Sequence, residues 1–313
     1  MAAYVLRRFL SLLGSVLLIT AVTFLVLRAL PGNPAELMLG MDAPPGALQA
    51  LSRHLGLDLP LPVQYLSWLA GAVHGDFGRS LLFQLPVGTL IAQRLPITLA
   101  LALLALLLGL AAGIPLGVWA ASRRSPLPSA VTAVFAQAGL AVPSFWLGTM
   151  LALVFALDLR LLPPDGVAPF RTPLALLAHL LLPAVTLAVP QAASTLRLVR
   201  ASVLETLERD FVRTAQAKGL GQGAVLYRHA LPNAMAPVAT LIGMHLGALI
   251  AGTIIVENVF SIPGLGSLVV QAVAARDVPL VEACVAVFAT CVVAVNFLVD
   301  LTYRLWDPKV VEA

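Results

Sequence analysis

The sequence predicts an all-α integral membrane protein of about six transmembrane helices, with one long outer segment and one long inner loop. Composition, hydropathy and the length of the apolar runs carry that prediction. Hydrophobic residues make up 60% of the 313-residue chain and charged residues only 11%, against about a quarter in soluble domains. Mean hydropathy is +0.96, and no globular core needs that much apolar surface. The apolar residues are gathered into runs close to the roughly 17–25 residues that cross a bilayer, so lipid is the expected solvent.

The first run, Phe9 to Leu27, follows Arg7-Arg8 and precedes Arg28. Its apolar core exceeds the roughly 7–15 residues of a cleavable signal, which predicts a retained helix. Five more runs follow: Ile97–Ala121, Ala130–Leu157, Leu181–Leu196, Ala236–Val256 and Val281–Leu301. Several hold proline or glycine, as in GIPLG (Gly113–Gly117), AVPSFW (Ala141–Trp146) and LAVP (Leu187–Pro190). An interior proline costs about 3 kcal/mol in a soluble helix. In a bundle, neighbouring helices re-satisfy the freed backbone groups. The fourth run is the weakest, because Pro183 and Pro190 interrupt it. Cys284 and Cys291 are seven apart in the last run, too far for a disulfide within one helix, and read as small core residues.

Six spans put both termini on one side. With that side inside, the inner Lys and Arg residues are Arg7, Arg8, Arg123, Arg124, Arg197, Arg200, Arg209, Arg213, Lys218, Arg228, Arg304 and Lys309, which is 12 of 19. The positive-inside bias thus predicts cytoplasmic termini and explains the net charge of +4 without any nucleic acid. The chain divides into a first helix with an outer segment (1–94), a five-helix core holding the inner loop (95–305), and a cytoplasmic tail (306–313).

The inner loop, about Arg197 to Leu231, is the polar exception, and its centre reads RTAQAKGLGQGAVLYRHALPNA from Arg213 to Ala234. Asp210 is placed to cap a short helix, Phe211 to Lys218. Lys218 suits the last turn, and Gly219 supplies a left-handed exit. A second short helix, Ala224 to Ala230, leads to Pro232 at the start of the next span, where a missing N–H does no harm. The product is a knob outside the membrane, with Leu226 and Tyr227 offered for docking.

The spacing Arg213-Thr214-Ala215, three residues, Gly219, nine residues, His229, one residue, Leu231-Pro232 resembles the signature loop of ABC importer permeases. That family's pattern is Glu-Ala-Ala, three residues, Gly, nine residues, Ile, one residue, Leu-Pro. Two leading letters and the isoleucine depart from it. DFVRTAQAKGL (Asp210–Leu220), RHALPNA (Arg228–Ala234), LGLDLPLPVQYLSWL (Leu55–Leu69), GDFGRS (Gly75–Ser80), RLPITLALA (Arg94–Ala102), PSFWLG (Pro143–Gly148) and FSIPGLG (Phe260–Gly266) are similar to the dipeptide, oligopeptide and nickel branch.

The resemblance implies a type I importer permease with a coupling-helix loop, paired with a second permease, two ATP-binding subunits and an external binding protein. Its ATPase-coupling residues would be Arg213, Thr214, Ala215, Lys218, Gly219, Leu220, Leu226, Tyr227, Leu231 and Pro232. ATP and magnesium would belong to the partner subunits, and this chain would carry no cofactor and no catalytic residue. In agreement, GLGQGAVLY lacks the lysine and hydroxyl of a phosphate-binding loop.

Ionisable and polar groups within spans are expensive, which makes Gln137, His245 and Glu257 candidates for the translocation path. His179, Glu282 and Asp300 lie near the expected helix ends, where solvent or headgroups can satisfy them. Gly243, Gly247 and Ala251 form a small-residue stripe suited to close helix packing. His245 stands about 200° round the helix from Gly243. The GMHLG context resembles nickel-importing members, yet a lone histidine is at most a transient metal contact. Nickel, a nickel chelate, a dipeptide or a longer peptide all remain open as cargo. A stand-alone secondary transporter using His245 or Glu257 is the alternative, but the paired broken repeats it calls for are missing from the sequence. A hydrolase built on Ser144 and His245 lacks any G-x-S-x-G or H-E-x-x-H motif.

Overall fold

The computed structural model describes residues 2–29, 44–54, 56–122, 126–163, 166 and 172–306. The helices are α1 (Ala2–Ala29), α2 (Pro45–His54), α3 (Leu61–Val73), α4 (Val87–Ser122), α5 (Pro126–Ala141), α6 (Ser144–Leu151), α7 (Pro173–Leu207), α8 (Asp210–Ala217), α9 (Gln222–Ala224), α10 (Ala236–Val259), α11 (Leu265–Ala274) and α12 (Val278–Trp306). Two wider stretches with i→i+5 hydrogen bonds, Ala152–Asp158 and Val225–Ala230, extend α6 and α9. Residues 307–313 of the expected tail and 30–43 of the outer segment lie outside the described residues.

Among the described residues, five helices are long and apolar enough to cross a membrane, and a bent pair brings the number to six if it counts as one span. That pair corrects the third sequence expectation. Ala130 to Leu157 is not one straight helix, because Ala130–Ala141 and Ser144–Asp158 meet at 103°. The break falls at Val142-Pro143, where Pro143 adopts an extended backbone (φ −62°, ψ 135°). Proline lacks the N–H that would continue the helix and disfavours a helical residue before it. The fourth expectation errs the other way. Pro183 and Pro190 sit inside α7, which runs unbroken over 35 residues. Pro183 is buried, and α7 packs against α5, α6 and α10, so neighbours hold the helix through both prolines.

The described chain forms two compact units. The first comprises residues 1–97 and 264–294. Its core joins Val87, Leu90 and Ile91 of α4 to Leu265, Leu268 and Ala272 of α11 and to Leu280, Val281 and Cys284 of α12. Tyr65 of α3 holds α1 by a 2.9 Å hydrogen bond to Thr20 Oγ1 and an edge-on contact with Phe24. The loop before α4 is pinned by the buried Asp277. Its Oδ2 accepts from Ser80 Oγ at 2.5 Å and from Leu82 N at 3.0 Å, and its Oδ1 accepts from Leu280 N at 3.3 Å at the start of α12. Glu282, expected near a solvated end, is only 4% exposed. Its position in the second turn of α12 faces it inward.

The second unit comprises residues 98–263 and 295–313, and α7 is its central element. Gly109, Gly113 and Gly117 of α4 bring the two backbones together. A Cβ at Gly113 would lie 2.7 Å from Thr195 Cβ, and one at Gly117 would lie 2.7 Å from Val199 Cβ. Small residues four apart permit this close approach in lipid, where packing rather than water exclusion drives helix association. Gly243 of α10 is covered in the same way by Val299 of α12.

Candidate functional site

The polar segment after α7 is shorter than the sequence implies, since α7 runs to Leu207 and carries Arg197 and Arg200 as helical residues. Helix α8 begins at Asp210, so Arg209 occupies the cap position and makes no side-chain capping bond. Thr214 Oγ1 instead donates to Asp210 O at 3.0 Å. At the other end, Leu220 N donates to Ala215 O at 3.3 Å and Gly219 N to Gln216 O at 2.9 Å. This doubly bonded exit requires a left-handed residue, and Gly219 has φ +81°.

Two buried clusters fold this segment. Val212, Ala215 and Val225 pack together with Leu207, closing α8 onto the following turn. Leu226, Ala234 and Val238 pack against Val118 and Ala121 of α4 and Val199 and Val203 of α7, which ties the segment to the bundle. Leu226, expected to be offered for docking, is instead buried in this cluster. It is 8% exposed, whereas the adjacent Tyr227 is 62% exposed. Neighbouring helical residues point about 100° apart, and within the turn Val225–Ala230 Leu226 lies inward and Tyr227 outward. Arg213, Thr214, Lys218, Gly219, Leu220 and Pro232 are also exposed, Ala215 is buried and Leu231 half-buried. Pro232 belongs to a separate helical turn, Leu231–Ala234, rather than to the first turn of the next span. The exposed pair Arg213–Asp210, 3.6 Å apart, adds little stability and leaves the guanidinium on the surface.

The three path candidates fall in different places. Glu257 is fully buried and accepts from Thr98 Oγ1 at 2.6 Å. His245 is 6% exposed, with Nε2 3.0 Å from Ser194 Oγ and Nδ1 buried without a hydrogen-bond partner among the described residues. Gln137 lines a cavity of about 750 Å³ with Thr132 of α5 and with Ser194, Arg197 and Arg200 of α7. His245 thus reaches that cavity only through Ser194. Sequence reasoning missed Ser194 and assigned Arg197 and Arg200 to a solvated loop. Residues 194, 197 and 201 recur at helical spacing, which was the available signal. Among the described residues no group of three or more His, Cys, Asp or Glu side chains is placed to hold a metal ion.

Comparison with known proteins covers nearly the whole chain. Residues 113–312 match the family described as binding-protein-dependent transport system inner membrane component. Residues 1–102 match its N-terminal membrane component. A Brucella abortus (strain 2308) protein named for a peptide transport system permease is 40% identical over 311 residues, covering 99% of both chains. The oligopeptide transport system permease protein AppB of Bacillus subtilis (strain 168) is 38% identical over 315 residues, again covering 99% of both. A solved structure of the MetNI methionine ABC transporter in inward-facing conformations has a likeness in fold at TM-score 0.57 and 18% identity, over 70% of this chain and 96% of that one.

Proposed function

The chain belongs to the inner membrane components of binding-protein-dependent transport systems, the ABC importer permeases, and from that premise we propose that its cargo is a peptide and that residues 208–235 couple it to ATP hydrolysis. The full-length similarity to relatives named for peptide transport carries the choice of cargo. Nickel is the weaker alternative. His245, the histidine that suggested it, already engages Ser194, and no cluster of further ligands surrounds it among the described residues.

The importer subunit works with ATP-binding and substrate-binding partners. A second permease, two ATP-binding subunits and one external binding protein complete the proposed assembly, with ATP and magnesium held by the ATP-binding pair. The coupling surface comprises Arg213, Thr214, Lys218, Gly219, Leu220, Tyr227 and Pro232, whereas Ala215, Leu226 and Leu231 support it from below. Its rigidity favours that role. A segment closed by two apolar clusters and a left-handed glycine transmits a push from a partner to α7 and α10 rather than absorbing it. Both termini face the cytoplasm in this reading, supported by the distribution of Lys and Arg.

Proteoliposomes holding the whole complex test the cargo. Uptake of trialanine that requires both ATP and the external binding protein is expected. Nickel uptake under the same conditions, with no trialanine uptake, would overturn the peptide reading.

A further inference from the structure

Helix α3 belongs to the expected outer segment, yet it is tied to α1 at a depth where that helix crosses lipid. The apolar span of α1 is Val5–Ala29, and Leu17 is its middle residue. Leu17 O therefore stands near the mid-plane, about 15 Å from either edge of a hydrocarbon layer roughly 30 Å thick. The Tyr65 hydroxyl of α3 donates to that carbonyl at 3.1 Å and lies 2.9 Å from Thr20 Oγ1. Its ring meets Phe24 edge-on at 5.5 Å, and Trp68 stacks on it at 6.2 Å. The Arg28 guanidinium sits 4.9 Å from the centre of the Phe24 ring, one turn nearer the end of α1, where a long basic side chain reaches the headgroups. The reach of a tyrosine side chain, set by ordinary bond lengths, is about half of that 15 Å, so the α3 backbone at Tyr65 lies below the headgroups. Around α3, at about 100° per residue, the side chains sort into three sectors. Tyr65, Trp68 and Ala72 share the sector turned to α1, and all three are half-buried. Val63, Leu66, Ala70 and Val73 share a second arc and are all exposed, Leu66 by 62% and Val73 by 78%. Gln64, Ser67 and His74 share the third. Gln64 Nε2 donates to Leu57 O at 3.1 Å and to Leu59 O at 2.8 Å, which sets the exposed Asp58 on this polar side.

We infer that α3 is an interfacial helix of the leaflet in which α1 ends, and that the acyl chains of that leaflet occupy its face of Val63, Leu66, Ala70 and Val73. A helix lying in the interface buries an apolar face roughly 5–10 Å into the boundary between headgroups and acyl chains and keeps a polar face outward. The Tyr65 anchor sets α3 at that depth, and its two outer arcs supply the two faces. The surface on which α3 rests selects lipid as the occupant. Only 11% of the most apolar stretch of α1 is buried, and Leu18, Val22 and Leu25, which alternate with the residues that Tyr65 touches, are exposed. The apolar arc of α3 thus adjoins a helix that is itself open to lipid. Placed in water, the same arc would be a continuous apolar strip of the kind that soluble surfaces avoid. Tyr65 and Trp68 suit this level, since aromatic residues with one polar atom concentrate at the membrane–water interface.

The test is nitroxide accessibility in the complete complex, reconstituted in phosphatidylcholine nanodiscs. Single labels are attached at Leu66→Cys, Val73→Cys, Ser67→Cys and His74→Cys in a chain whose native cysteines are replaced. Leu18→Cys on the exposed face of α1 serves as the lipid reference and Asp58→Cys as the water reference. Each label is read by its collisions with molecular oxygen, which concentrates among acyl chains, and with chromium trisoxalate, which stays in water. The ratio of oxygen to oxalate collisions at positions 66 and 73 is expected to match that at 18, and at 67 and 74 to fall toward that at 58. A ratio at 66 equal to that at 58 would put α3 in water and overturn the inference. Few collisions with either reagent at 66 and 73 would show that a protein partner covers this face, which overturns the choice of lipid. Equal ratios at 66 and 67 would remove the sidedness and overturn the interfacial orientation. All four labels sit on exposed positions, so the complex is expected to assemble with each of them.

Discussion

Replacing Asp277 by alanine removes one carboxylate and leaves several donors in a buried site. Ser80 Oγ and Leu82 N both donate to Oδ2, at 2.5 and 3.0 Å, and Leu280 N donates to Oδ1 at 3.3 Å. Hydrogen bonds to charged groups contribute about 1.5–3 kcal/mol each, and a cap at the start of a helix about 1 kcal/mol. The bond to Leu280 is long, so the sum expected for Asp277→Ala is about 4 kcal/mol, of which about 2 kcal/mol belongs to Leu82 N–H. At 1.36 kcal/mol per factor of ten, the Leu82 amide should exchange its hydrogen about 30-fold faster in the variant. Hydrogen exchange on the assembled complex reads this amide directly. Ser80→Ala should have a smaller effect, because Asp277 keeps both backbone donors. Asp277→Asn should fall between the two, since one amide oxygen can still accept. Exchange at Leu82 within about twofold of wild type in Asp277→Ala would refute the pinning of this loop by Asp277.

Gly219→Val places a β-branched residue at φ +81°, at a cost of about 1–3 kcal/mol, and should lower peptide-stimulated ATP hydrolysis while the subunit still inserts and is recovered from membranes. Leu226→Glu and Tyr227→Glu should differ in kind. The first buries a charge among Val118, Val199 and Val203 and should reduce the yield of folded subunit, whereas the second should reduce only retention of the ATP-binding subunits. Equal yields for the two would contradict the register of this turn. Gly117→Leu should impair folding through collision with Val199 and the Leu196 carbonyl, read as loss of monodisperse complex in detergent, while Gly223→Leu, which meets open space, should not. Single cysteines at Gln222 and Gln84, in a chain whose native cysteines are replaced, should react with impermeant thiol reagents from the cytoplasmic and the outer side respectively.

The apolar runs were legible in the sequence because a bilayer-length run has few other uses. What the sequence did not distinguish is one proline from another. Pro143 ends a helix, while Pro183 and Pro190 ride within one, and the difference lies in how closely neighbours pack around α7. Gly219 was readable from local chemistry alone, because the bonding that ends α8 demands a left-handed residue. Leu226 was not, because which of two adjacent apolar residues points inward depends on the packing of this turn against α4 and α7. Arg197 and Arg200 were assigned to a loop on polarity, yet the helix continues past them and carries them into a cavity wall. The spacing of Gly109, Gly113 and Gly117 was present in the sequence as a packing signal and marks the seam between α4 and α7.

Photocrosslinking from position 227 tests most directly that residues 208–235 are the surface through which ATP hydrolysis drives this importer subunit. A benzophenone side chain replacing the 62%-exposed Tyr227 in the assembled complex is expected to form its adduct with an ATP-binding subunit, and the same group at Gln84 is not. A complex that imports peptide while position 227 yields adducts only with lipid, with the external binding protein or with no protein would contradict it.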